Sequence, residues 1–70
     1  MNKVGKHRQC QLSSVVSEWA SRFGKNSTPN AYEIDEMFRL HGVYQEKLTK
    51  EEKIYFNEEM RKQIGRVFLF

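Results

Sequence analysis

His7, Cys10 and His41 are the residues of this 70-residue chain best suited to metal binding or to nucleophile–base chemistry. A metal site needs three or four His, Cys or carboxylate ligands at workable spacing. His7 and Cys10 stand three apart, with no CxxC motif and no paired histidines to complete a set. Cys10 and His41 would make a nucleophile and its base only if folding joined them. His41 directly precedes Gly42, so a histidine finishing a helix is the simpler reading. No glycine-rich phosphate loop, GxSxG or HExxH motif is present. The sequence therefore predicts a non-enzyme, with no catalytic residue, no metal and no cofactor.

Charge points to two binding surfaces instead. The chain carries 12 Lys and Arg against 9 Asp and Glu, a formal +3. Lys3, Lys6 and Arg8 account for all of that excess, because residues 12–70 hold equal numbers of acids and bases. With His7, these cations form a basic segment that would suit phosphates or a minor groove. The rest of the chain argues against a DNA-reading helix. A helix–glycine–helix pattern over residues 12–41 resembles a helix-turn-helix in spacing, but its second helix carries Glu33, Asp35 and Glu36 against Arg39 alone. The other surface is acidic: on a helix over residues 50–64, Tyr55 falls opposite the apolar side, ringed by Glu51, Glu52, Glu58 and Glu59. Tyrosine is favoured at protein interfaces, and this surround would suit a basic groove on a partner.

Three helices must position these residues. Leu12, Val15, Val16, Trp19, Ala20 and Phe23 repeat at helical spacing, so a helix is predicted over 12–23, capped by Ser13 or Ser14 and ended by Gly24. A second is predicted over 29–41, with Thr28 as its cap and Pro29 in its first position. Its inward face is Ala31, Ile34, Met37, Phe38 and His41; Tyr32 and Leu40 point outward. Val43, just past Gly42, should touch Phe38. Thr49 and Glu52 form a capping box at the start of the third helix, whose inward face is Phe56, Met60 and Ile64 with Ile54 beside it. Trp19, Phe23, Ile34, Phe38, Phe56 and Met60 are the predicted centre of the core.

Neither end of the chain belongs to the three helical stripes. Residues 1–11 lack apolar periodicity and are predicted to be a flexible basic arm, leaving 12–70 as one helical domain. Val67, Phe68, Leu69 and Phe70 form an apolar tail, a patch large enough to require covering by the body, by a second copy or by a partner. Own-body packing is favoured, because a chain this short is poor in core.

The fold class is thus all-α: a small three-helix domain with a basic N-terminal arm and an apolar C-terminal tail. A single cysteine excludes an internal disulfide and fits a reducing compartment, and no apolar run is long enough to span a membrane. Cytoplasmic location and no membrane contact are expected. The leading function is a small non-catalytic inhibitor, adaptor or modulator that docks a helical surface onto a larger protein. Tyr55, Glu51, Glu52, Glu58, Glu59, Phe68 and Phe70 are its contact residues. The alternative is a small nucleic-acid-binding regulator that uses Lys3, Lys6, His7 and Arg8, with a homodimer as one arrangement.

Overall fold

The computed structural model describes residues 4–25 and 28–68. They form α1 (Lys6–Phe23), α2 (Ala31–Leu40) and α3 (Lys50–Gln63), with a single 3-10 turn at Gln45–Lys47 between the last two. Among the described residues there is no strand, and the fold is all-α as the hydrophobic periodicity predicts. Helix α1 is the element against which both others pack, most extensively α3.

The apolar stripes meet in one core. Leu12, Val15, Val16 and Trp19 of α1 lie against Ile34, Met37 and Phe38 of α2 and Phe56 and Met60 of α3. The Phe38 and Phe56 rings, with centroids 4.9 Å apart, join α2 to α3. Val43 and Leu48 close the core from the connector, and Ile64 from the end of α3. Of the predicted centre, Phe23 alone is only partly buried; it packs on the edge of the core near the end of α1.

The punctuation of the helices follows local chemistry. Gly42 adopts φ 76° and Val43 N–H donates to the Phe38 carbonyl at 2.9 Å. This is the glycine cap that brings Val43 onto Phe38, and Val43 is fully buried. The capping box of α3 is present: Glu52 N–H donates to Thr49 Oγ1 at 3.2 Å, and Thr49 N–H donates to Glu52 Oε1 at 2.8 Å. Helix α2, in contrast, starts two residues later than predicted. Its cap is Asn30, not Thr28, because Asn30 has Glu33 three residues on and forms the reciprocal pair, whereas Thr28 has Ala31 there.

Helix α1 starts at Lys6, six residues before the predicted boundary. Residues 6–11 are its opening turns and not an arm outside the helical body. Val4 is buried at 6% exposure, and Gln9 Nε2 donates back to its carbonyl at 2.9 Å. Arg8 Nε lies 3.1 Å from Glu52 Oε2, and Gln11 Nε2 donates to the His41 carbonyl at 3.1 Å. Mutual repulsion does not oppose the helix here, since Lys6 and Arg8, two apart, point to different sides. The cap residue is Gly5, without a side-chain cap bond, so neither serine serves; Ser13 lies inside α1.

The chain leaves α3 at Gly65, where φ is 91°. Val67 consequently does not continue the α3 stripe and remains 38% exposed. Phe68 turns in instead, edge-on to Trp19 and Phe56 at centroid distances of 6.1 and 6.4 Å. Of the described apolar tail residues, Phe68 packs on the chain's own core and Val67 does not.

Candidate functional site

An apolar groove of about 500 Å³ opens where the start of α2 faces the tail. Trp19 and Ile34 contribute apolar surface from the core, and Pro29 and Ala31 line it at the start of α2. Val67 and Phe68 line it from the tail, with Gln45 also at its edge. Pro29 fits its place because a proline just ahead of a helix gives up no needed donor. The groove's polar groups are few. Arg66 Nη1 donates to Thr28 Oγ1, and this guanidinium is the charged group in the lining.

Val67 also borders a second, smaller depression of about 300 Å³, shared with Ile54, Asn57, Glu58 and Arg61. It is therefore a ridge between two hollows. Ile54, predicted to flank the core, is 51% exposed on the far side of that ridge. No described segment covers it, because the tail crosses α3 at Asn57. The groove and the ridge are apolar, and Ile54 stands apart from them across a hollow that Asn57, Glu58 and Arg61 also line.

The outer side of α2 is a different kind of surface. Tyr32 and Leu40 are 75% and 62% exposed, as their outward phase predicts. The charges between them largely answer one another: Arg39 Nε lies 2.8 Å from Asp35 Oδ2. The hydrogen bond and then the charge of Asp35 raise the Arg39 pKa above its ordinary value. The Arg39 guanidinium and the Lys47 ammonium also lie 5.3 and 5.5 Å from the centre of the Tyr44 ring.

The acid-ringed tyrosine is not an exposed patch. Tyr55 is partly buried against the core, and its hydroxyl lies 3.1 Å from Ser13 Oγ across the α1–α3 seam. The ring is long enough to lie back over that seam although its Cα is well off the inward face. Glu52 is engaged by Arg8 and by its own cap, while Glu59 accepts from Ser13 at 3.5 Å and from Lys62 at 3.4 Å. Glu51 and Glu58 are exposed. The predicted set is thus split between an interhelical seam and solvent. Phe68 belongs to the groove, and Phe70 lies outside the described residues.

The basic set is also divided. Lys6 and His7 are exposed on the first turn of α1, which carries no acid. Arg8 is turned onto Glu52, and its Nη1 is enclosed rather than offered to solvent. Lys3 lies outside the described residues. His41 is not on the inward face of α2; it caps that helix, and its Nε2 lies 2.7 Å from Glu18 Oε1 on α1. Arg22 Nη2 approaches the other oxygen of Glu18 at 3.0 Å. Cys10 is exposed. Among the described residues no three His, Cys, Asp or Glu side chains cluster as a metal site, and no helix is long and apolar enough to cross a membrane.

The sequence reading missed Thr28, Pro29, Ala31 and Arg66 as site residues. Pro29 and the apolar run after Gly65 were the available signals, but nothing local says that the two segments meet. No family model, curated protein or solved structure matches the chain.

Proposed function

We propose that this chain is a small non-catalytic binding protein that docks onto a larger protein through the apolar groove and the Val67 ridge. The observation that carries the reading is the open groove of about 500 Å³ beside Val67, which stays 38% exposed in a chain otherwise short of core. Apolar surface of this kind, rimmed by polar groups, is what protein contacts use. The surface moves from the outer side of α3, where Tyr55 is taken up by Ser13, to the junction of α2 with the tail.

The test is partner capture from native extract with and without nuclease treatment, comparing the natural chain with Ala31→Phe and Val67→Glu. Ala31 is exposed and lines the groove, so a phenyl ring there fills it without entering the core. A protein partner retained by the natural chain and lost by both variants supports the reading. Capture that ignores both variants but disappears with nuclease supports nucleic acid at the Lys6–His7 end instead.

A further inference from the structure

We propose that the groove takes a short peptide segment of a partner protein whose apolar anchor is flanked by carboxylate side chains; this rests on the docking reading above. The groove's shape limits the occupant. A single helical turn about 10 Å across and 5.4 Å high has a volume close to the groove's 500 Å³, so the groove holds an anchor and not a whole element.

Charge then selects the flanks. No acid lines the groove, and its charged residue is Arg66. Among the described residues no carboxylate lies within ion-pairing distance of Arg66, whereas Arg8, Arg22 and Arg39 each meet an acid of this chain; Arg61 shares this lack of an acid but lies in the neighbouring hollow and not in the groove. A guanidinium has five N–H donors, and the Thr28 hydroxyl takes one while fixing the group at the groove's edge. The remaining donors match a carboxylate in the two-pronged geometry that arginine favours. The outer side of α2 offers no such direction, because Asp35, Glu36 and Arg39 present both signs there.

Trp19 is the chain's one tryptophan and lines the groove, so its emission reports occupancy. The probes are three end-blocked heptapeptides with a common Phe-Leu-Leu centre, flanked on each side by paired glutamates, serines or lysines. Titration into the natural chain should give a Kd for the glutamate peptide about three- to fivefold below that of the serine peptide, with the lysine peptide weakest. Arg66→Gln should reduce the glutamate-over-serine preference to within about twofold, and Arg66→Lys should retain part of it. Equal binding of the glutamate and serine peptides, blocked by Ala31→Phe, overturns the carboxylate preference and leaves the docking reading standing. If none of the peptides shifts the emission, the proposal falls. If Ala31→Phe in addition leaves partner capture unchanged, the docking reading falls with it.

Discussion

The side-chain amide of Asn57 pairs with both backbone groups of Phe68. Phe68 N–H donates to Oδ1 at 2.8 Å, and Nδ2 donates to the Phe68 carbonyl at 3.1 Å. The amide does for the tail what a neighbouring strand would do, satisfying backbone groups that no helix or sheet serves. It also fixes the tail so that the Phe68 ring meets Trp19 and Val67 faces outward. With each such bond worth about 0.5–1.5 kcal/mol net, Asn57→Ala should cost about 1–3 kcal/mol. Thermal unfolding followed by circular dichroism should show a drop of roughly 4–8 °C per kcal/mol. Asn57→Asp keeps the acceptor for Phe68 N–H but sets a carboxylate oxygen against the Phe68 carbonyl, and should not rescue the loss.

Removal of residues 1–10 should destabilise the fold, against the expectation that the basic segment is separable. It deletes the buried Val4, the first turns of α1 and the Arg8–Glu52 pair. Val4→Ala isolates one part of the loss and should cost about 1–2 kcal/mol from two buried carbons. An unchanged urea midpoint for the truncated chain would show that α1 does not need its first turns.

Glycine substitutions should separate conformation from space. Gly42→Ala forces a side chain into the left-handed region at φ 76°, a cost of about 1–2 kcal/mol. Its Cβ would also stand 3.3 Å from Gln11 Nε2, displacing the group that donates to the His41 carbonyl. Gly5→Ala meets open space at φ −65° and carries no such strain, so its cost is limited to the preference of a helix N-cap for glycine over alanine and should be smaller than that of Gly42→Ala. Chemical denaturation of the two variants side by side checks the difference.

Tyr55→Phe should lower stability by about 0.5–1.5 kcal/mol through loss of the Ser13 contact, and leave partner capture intact. Ala31→Phe should do the reverse, abolishing capture with little change in melting temperature. An interface centred on the hydroxyl of Tyr55 would invert this pattern.

Trp19 is both a core residue, 3% exposed, and a wall of the groove. Trp19→Ala should cost on the order of 3–5 kcal/mol, enough to unfold a domain of this size. A cooperative melt retained by that variant would contradict the central place of α1.

The sequence by itself determined the three helices, because each carries an apolar stripe at helical spacing and its own stop signal. It determined the Thr49–Glu52 box and the Gly42–Val43 cap, since these involve residues one to five apart. It equally contained the Asn30–Glu33 pair, which the more familiar threonine–proline signal at 28–29 obscured. Tertiary structure alone decided the rest. Residues 6–11 have no stripe of their own, and their helix is held by partners 30 to 44 positions away, His41 through Gln11 and Glu52 through Arg8. Tyr55 points outward by helical phase, yet a long side chain beside a crossing helix reaches a hydroxyl that no periodicity reveals. The groove exists because Gly65 ends α3 where Asn57 can hold the returning backbone. That places Arg66 against Thr28, 38 residues away, a proximity set by packing and not by local pattern.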